Sequence, residues 1–164
     1  QKQRVLTLVN PESDRLGAGW NIIQSKTAIG SGGWEGLGWT QGSQAQLDFV
    51  PEGHTDFIIA VLAEEFGFRG VLLLFLIYAV ILGRGLVITW RAQSSFARML
   101  GGALVATFFF GLVVNLGMVS GLLPVVGVPL PMVSYGGTAM VSMMIAFGML
   151  MAISTERPVT RTMR

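Results

Sequence analysis

The longest uncharged stretch of the chain, residues 99–155, contains no Asp, Glu, Lys or Arg. Pro124, Pro129 and Pro131 divide it into two apolar segments, each matching the roughly 20 residues needed to cross a bilayer. Over the whole chain 52% of residues are hydrophobic and 12% are charged, about half the usual charged share of roughly 25% in a soluble domain. These features exclude a water-soluble fold and predict an integral membrane protein.

A third apolar segment, residues 57–90, differs from the other two because it carries charges. Its charged residues are Glu64, Glu65, Arg69 and Arg84. As one helix the segment would be about 50 Å long at 1.5 Å per residue. It must therefore be tilted, broken near Gly67 to Gly70, or protruding from the membrane. We predict an all-α membrane fold with three transmembrane helices, at about 57–90, 99–120 and 133–154.

The chain divides into three parts: residues 1–56, the membrane segment 57–155 and a basic tail, 156–164. Trp20 to Ile29 could form a short amphipathic helix on the membrane surface, closed by Gly30. The orientation follows from the arginines near Arg91 and in the tail, which the positive-inside rule places in the cytoplasm. Residues 1–56 and the loop 121–132 are then extracytoplasmic. Four basic residues in the first part count against this orientation: Lys2, Arg4, Arg15 and Lys26.

Several classes of function are excluded by composition. The chain has no cysteine and one histidine, His54, so a disulfide framework and a histidine-rich metal site are ruled out. A net charge of +2, with no basic stretch interleaved with aromatic residues, argues against nucleic acid. The chain opens on Gln1 and has no signal peptide, so we expect it to be the C-terminal portion of a longer protein and inactive by itself.

Carboxylates are concentrated before the apolar segments. Asp48, Glu52 and Asp56 are spaced by four residues and accompany His54, but Pro51 and a glycine argue against one continuous helix. Three interpretations stay open: a solvated loop, a divalent-cation site, and a general base above a cavity. Asp56 could also be the N-cap of the helix that starts at residue 57.

Two further groups have both a functional and a structural interpretation. Glu64 would share a helix face with Asp56, and an intramembrane carboxylate is usually functional. The alternative is an ion pair with Arg69 or with a span missing from this chain. The glycine-rich run Ile29 to Gly38 resembles a phosphate-binding loop, but it lacks the flanking strand of a dinucleotide site. It could still be a flexible loop near a pyrophosphate, with Lys26 supplying positive charge.

The segment from Gly121 to Gly137 contains three prolines and four glycines and ends on Ser134-Tyr135-Gly136-Gly137. Irregular backbone at membrane depth is tolerated only where protein or water covers it. Ser134 and Tyr135 could satisfy the freed backbone groups. We predict that this segment shapes an active cavity; the alternative is an ordinary outer turn.

Three segments of the chain, Gln24–Gly33, Gln41–Glu65 and Asn115–Gly137, closely resemble the SEDS family of bacterial cell-wall polymerases. The resemblance extends over almost the whole chain. Val125-Val126-Gly127 stands where the division branch of the family typically has a Thr-Lys-Gly stretch. The chain therefore resembles the elongation branch.

The resemblance implies a bundle of ten transmembrane helices in the bacterial cytoplasmic membrane, of which this chain would hold the last three. It also implies peptidoglycan glycosyltransferase activity on lipid II during elongation and rod-shape maintenance. The implied partners are a class B penicillin-binding transpeptidase and other elongation-complex membrane proteins. Two other functions stay open: a lipid II flippase and a non-catalytic scaffold.

The family's essential aspartate matches Asp56, and a second acidic position matches Asp48. The cofactor is left open; Mg²⁺ or Mn²⁺ is a candidate, with these two carboxylates as ligands. The substrate-binding or supporting residues that we predict are Asp48, Glu52, His54, Lys26, Glu64, Ser134, Tyr135 and Gly136.

Overall fold

A computed structural model describes residues 18–42 and 55–155. Within these ranges the chain forms four α-helices and no strand: α1 Ala18–Gly32, α2 Ile58–Arg91, α3 Ser95–Val119 and α4 Gly137–Thr155. The helices α2, α3 and α4 are long and apolar enough to cross a membrane. The predicted all-α class with three candidate spans is confirmed.

The central helix of the bundle is α3. Of its most apolar 18 residues 39% are buried, compared with 11% in each of α2 and α4. A row of rings crosses the three helices: Phe108 lies 5.5 Å, between ring centroids, from both Tyr78 of α2 and Phe147 of α4. Many other apolar side chains of α2 and α4 are exposed, as expected for helices surrounded by lipid or by other helices.

Glycines allow α2 and α3 to approach closely. A Cβ atom at Gly85 would lie 2.7 Å from Val105 Cγ2, and one at Gly101 would lie 2.8 Å from Thr89 Oγ1. Both distances are too short for a real Cβ atom, so any larger residue would push the helices apart. This is the small-residue packing typical of membrane helices.

The short helix α1 packs against the bundle through a stripe spaced by three residues, Ile22, Ser25 and Ala28, all of them buried. The Ser25 hydroxyl donates to the carbonyl of Val119, 3.0 Å away, at the end of α3. The helix runs past the predicted end at Gly30 to Gly32. Its buried face therefore packs against protein, where the sequence suggested contact with the membrane surface.

The long helix α2 is broken at Gly67, which has φ 65° and ψ −164°. The break deprives Phe68 and Arg69 of their usual acceptors four residues earlier, and Glu64 and Glu65 of their usual donors. Residues 33–42, here called the glycine loop, replace all four partners. Phe68 N donates to Gly33 O at 3.0 Å and Arg69 N to Trp34 O at 3.4 Å, while Leu37 N and Gly38 N donate to Glu64 O and Glu65 O at 2.9 and 3.0 Å.

The glycine loop therefore has a structural role. Its amides at Leu37 and Gly38 are already bonded to α2, so they do not form an open phosphate cradle. Gly36 is required by the close approach, because a Cβ there would lie 2.2 Å from Glu65 O. The side chain of Arg69 pairs with Glu35 of this loop at 3.2 Å, whereas the sequence suggested Glu64 as its partner.

Candidate functional site

Asp56 lies in a turn, residues 55–57, just before the start of α2. The helix begins at Ile58, and its N-cap, Phe57, provides no side-chain cap hydrogen bond. The interpretation of Asp56 as the N-cap is therefore wrong: a cap must directly precede the first helical residue, and Asp56 is one position too early. The side chain is free to serve another purpose.

The Asp56 carboxylate is partly buried. Its neighbour Phe57 is fully buried in the main apolar cluster, which brings the turn down onto the bundle. Burial raises the pKa of the Asp56 carboxyl above its ordinary value of 3.8, because the charged form loses hydration. A carboxylate with a raised pKa is a stronger base than a solvated one.

The irregular segment between α3 and α4, residues 120–136, here called the proline loop, folds against this turn. Ser134 connects the two segments: its hydroxyl donates to Thr55 O of the turn and accepts from Leu130 N of the proline loop, the latter at 2.8 Å. The Tyr78 hydroxyl of α2 also bonds to the proline loop, donating to Pro131 O at 2.6 Å. The predicted supporting role of Ser134 thus has a geometric basis, since it joins the proline loop to the Asp56 turn.

Gly127 of the proline loop lies directly against the carboxylate. Its φ is 78°, and a Cβ atom built there would be 3.2 Å from Asp56 Oδ2. Glycine is the residue that adopts this left-handed conformation without strain. The loop therefore leaves space beside the carboxylate that any other residue would reduce.

Asn115, near the end of α3, is the residue that the sequence interpretation missed. Its Nδ2 donates to the carbonyls of Asp56 and Val128, both at 2.8 Å. The side chain is fully buried, and its Oδ1 has no hydrogen-bond partner in the described residues. An isolated amide in a charge-free span was the available signal, because burying one is costly unless it is bonded.

Lys26 lies at the same end of the bundle. Its Nζ is 2.8 Å from the position of a Cβ at Gly121, where the proline loop begins. The side chain is exposed. The proline loop thus has Lys26 at its start and the Asp56 carboxylate against Gly127.

A cavity of about 680 Å³ opens beside the turn. It is bounded by Ile58 at the start of α2 and by the junction of the proline loop with α4, including Tyr135 and Gly136. Tyr135 is 84% exposed, so its hydroxyl is directed outward and does not satisfy the loop backbone as predicted. Gly136 has room for a side chain, the nearest atom to a Cβ being Ala139 Cβ at 3.6 Å.

The two carboxylates within α2 are held by the glycine loop and its end. Glu64 is fully buried, and its Oε2 lies 2.8 Å from the position of a Cβ at Gly42. Glu65 accepts a hydrogen bond from Thr40 N at 3.1 Å. Both side chains therefore lie against the end of the glycine loop. The prediction that Glu64 accompanies Asp56 at the site stays a prediction.

Three predicted site residues, Asp48, Glu52 and His54, lie outside the described residues. Within residues 18–42 and 55–155, no three His, Cys, Asp or Glu side chains come together as a metal site would require.

The family model described as "Cell cycle protein", for FtsW, RodA and SpoVE, matches residues 1–158. "Peptidoglycan glycosyltransferase MrdB" of Escherichia coli K12 is 58% identical over 157 residues, 96% of this chain and 42% of that protein. "Peptidoglycan glycosyltransferase RodA" of Treponema pallidum is 40% identical, over 96% of this chain and 36% of that protein. A "Probable peptidoglycan glycosyltransferase FtsW" of Trichlorobacter lovleyi is 41% identical, over 93% of this chain and 40% of that protein.

Among solved structures, a chain from "Structural coordination of polymerization and crosslinking by a peptidoglycan synthase complex" superposes with a TM-score of 0.76. It is 28% identical, and the match covers 94% of this chain and 41% of that one. The chain thus spans about two fifths of the length of the relatives that it matches.

Proposed function

Because the chain belongs to the SEDS family of FtsW, RodA and SpoVE cell cycle proteins, we propose that it acts in peptidoglycan glycosyl transfer during cell elongation. In the proposed reaction lipid II is polymerised into glycan strands. The 58% identity to MrdB of Escherichia coli K12 supports the elongation assignment. The observation that carries the proposal is the partly buried Asp56 carboxylate at the mouth of an apolar helix. It lies against Gly127, and Asn115 Nδ2 bonds to the main-chain carbonyl of Asp56.

The proposed chemistry starts with Asp56 as general base. Its carboxylate accepts the proton of an acceptor sugar hydroxyl, and the hydroxyl oxygen forms a bond to the anomeric carbon of the donor. The bond from that carbon to the polyprenyl pyrophosphate breaks, and the pyrophosphate leaves with the electron pair. The raised pKa of Asp56 favours this role, because a base is most effective when its pKa approaches the working pH.

The leaving pyrophosphate needs positive charge nearby. Lys26, exposed above Gly121, is a described basic residue at this end of the bundle, and we assign it that role. A divalent cation bound by Asp56 and Asp48 remains a second candidate for the same charge. The polyprenyl chain would lie in the cavity beside Ile58, Tyr135 and Gly136, which opens laterally next to the turn.

The test of the proposal is polymerisation of purified lipid II by the protein as its gene encodes it. Asp56→Asn removes the base while keeping the shape of the side chain, so polymer yield should fall by about 10²- to 10⁴-fold, the usual contribution of a general base. Glu35→Gln, an exposed carboxylate at the glycine loop, is the matched control and should polymerise normally. Wild-type yield from Asp56→Asn would refute the role of Asp56.

A second substitution tests the proposed chain groove. Gly136→Leu should fill the cavity and lower polymerisation about tenfold or more, with little loss of stability, because a Cβ at Gly136 meets only ordinary contacts. The measurements are polymer yield and thermal unfolding of the same preparation. Normal activity in a well-folded Gly136→Leu protein would show that the chain lies elsewhere.

The alternative functions make different demands. A lipid II flippase would need charged groups available deep in the bundle, whereas Glu64 is buried against Gly42 and Glu65 accepts a hydrogen bond from Thr40 N. This observation favours an enzyme. Polymer formed in detergent, where transport across a membrane is absent, would decide against both the flippase and the scaffold.

By family and by its three apolar helices the protein is a bacterial inner-membrane protein. We further propose that residues 1–56 are extracytoplasmic and that the tail 156–164 is cytoplasmic, which puts Asp56 at the outer surface. The chain has no cysteine, so single cysteines at Ser43 and Thr162 can be labelled with an impermeant reagent in spheroplasts. Labelling at Thr162 alone would reverse this orientation.

The proposed protein partners are a class B penicillin-binding transpeptidase and other membrane proteins of the elongation complex. The similarity to a chain from a complex described as coordinating polymerization and crosslinking supports this. Co-purification of a transpeptidase with the tagged protein is the expected result, and its absence in mild detergent would argue against a stable complex.

A further inference from the structure

Two arginines line a second cavity at the end of the bundle opposite to Asp56. The cavity has a volume of about 350 Å³ and lies between the last turns of α2 and α4. Arg84 and Arg91 of α2 border it, together with two neutral polar residues, Gln93 and Ser154. The proposed polymerisation chemistry makes no use of this cavity.

No Asp or Glu among the described residues forms an ion pair with either of these two arginines. No Asp or Glu occurs between residues 66 and 155. The other arginines of the bundle have partners, since Arg69 pairs with Glu35 and Arg98 donates to Ala92 O at 3.2 Å. In the described part of the chain Arg84 and Arg91 have neither an ion pair nor a hydrogen bond.

The position of Arg84 makes its charge costly. It lies seven residues before the end of α2 at Arg91, which is about 10 Å along the helix axis. A guanidinium at that depth must be drawn toward the membrane surface or neutralised by an anion. The polar cavity supplies the space for such an anion beside both arginines.

An apolar groove continues from the polar cavity along the bundle. It has a volume of about 390 Å³ and shares Arg84 and Ile88 with the polar cavity. Beyond Arg84 its lining is apolar and comes from both helices, with Val80 and Gly85 of α2 and Phe147 and Leu150 of α4. A polar, positively charged end and an apolar extension together fit an amphipathic anion.

We propose that the crevice between α2 and α4 binds an anionic phospholipid of the adjacent leaflet. The guanidinium groups of Arg84 and Arg91 hold the lipid phosphate through charge-assisted hydrogen bonds, and an acyl chain lies in the groove along Val80 and Leu150. A zwitterionic lipid is disfavoured because its headgroup brings a positive charge toward the arginines. Free phosphate is disfavoured because it leaves the apolar groove unfilled. This proposal does not depend on the reaction assigned to Asp56.

The test is native mass spectrometry of the delipidated protein, as its gene encodes it, titrated with phosphatidylglycerol. The double variant Arg84→Gln, Arg91→Gln should bind at least about tenfold more weakly, the equivalent of a lost charge-assisted hydrogen bond. Arg69→Gln removes one charge from the other end of the same helix and should bind as the wild type does. Phosphatidylcholine with the same acyl chains should bind the wild type about tenfold more weakly than phosphatidylglycerol does.

A conservative variant keeps the test valid if the double glutamine protein fails to fold. Arg84→Lys, Arg91→Lys retains the charge but loses the paired donors of guanidinium, so its affinity should fall between the other two. Thermal unfolding reports whether each variant is folded.

Three outcomes would overturn the proposal. The first is equal binding of phosphatidylglycerol by the wild type and a folded double glutamine variant. The second is displacement of the lipid by millimolar inorganic phosphate, which would make this a site for a soluble anion. The third is a clear preference for polyprenyl phosphate over phosphatidylglycerol, which would assign the crevice to another lipid class.

Discussion

The two ends of the bundle are built by different means. At the Asp56 end, side chains reach far along the chain to fix irregular backbone: Asn115, Ser134 and Tyr78 bond to carbonyls 59, 79 and 53 residues away. At the arginine end, the side-chain hydrogen bonds described above are local, such as that of Arg98 to Ala92. The difference indicates that one end holds a fixed geometry, as catalysis requires, while the other leaves charge open for a ligand.

The largest expected effect comes from removing the amide that fixes the Asp56 end. Asn115→Ala would leave the carbonyls of Asp56 and Val128 without their donor. Since an unsatisfied buried carbonyl costs about 1–3 kcal/mol, we expect the free energy of unfolding to fall by about 2–4 kcal/mol. Thermal or denaturant unfolding in detergent measures this loss, and polymerisation should fall with it.

Thr89→Val is the matched substitution at the other end of the bundle. Within the described residues the Thr89 hydroxyl bonds to Gly85 O alone, four residues earlier in the same helix. The loss should therefore stay within about 0.5 kcal/mol, as for most substitutions away from buried networks. Equal losses from Asn115→Ala and Thr89→Val would remove the contrast between the two ends.

A smaller effect is expected from Gly127→Ala. Because Gly127 has a left-handed backbone, alanine at this position should lower the free energy of unfolding by about 1–2 kcal/mol. The added Cβ would also press on Asp56 Oδ2. We expect the polymerisation rate to fall more than stability does, because the methyl group takes space beside the carboxylate.

Gly83→Ala is the corresponding control. Gly83 lies within α2 with nothing within 4 Å of a Cβ position, so alanine should stabilise the helix by about 0.5–1 kcal/mol. A Gly127→Ala protein as active as Gly83→Ala would show that the loop is not fitted closely to the carboxylate.

The smallest effect concerns pH. Since burial raises the folded-state pKa of Asp56 above 3.8, the folded state is favoured at low pH. This contribution to the free energy of unfolding is fully present below pH 3.8 and is lost as the pH rises through the pKa of the folded state. Asp56→Asn has no such carboxyl, so the stability of wild type relative to this variant should decline over that range and then level off. Unfolding midpoints of both proteins from pH 3.5 to 7 measure it, and a relative stability that rises instead would contradict the buried carboxylate.

The helical architecture could be predicted from the sequence, but the contacts between residues distant in the chain could not. Charge-free length predicted three spans, and glycine placement allowed a break at Gly67, both local properties of the chain. Asn115 was missed because its partners, Asp56 and Val128, are set by tertiary packing. The same holds for the glycine loop, whose composition resembles a phosphate site although its amides are used by α2.

Within the candidate site, Asp56, Lys26 and Ser134 were predicted from the sequence, and they lie at the same end of the bundle. Asp56 was taken for a possible N-cap because helix boundaries read from sequence are uncertain by a residue or more. The outward direction of the Tyr135 side chain could not be foreseen, since the path of a loop with three prolines has no simple periodicity.

The repair of the α2 break by the glycine loop has an evolutionary consequence. Four backbone groups of the helix depend on residues that lie about thirty positions earlier in the chain, so the two segments are free to change only together. An insertion or deletion between Gly33 and Gly38 would unpair all four groups at once, at a cost of several kcal/mol for each group left in an apolar setting. We therefore expect the length of this loop to be inherited unchanged wherever a glycine stands at position 67, and to vary only in relatives whose helix runs straight.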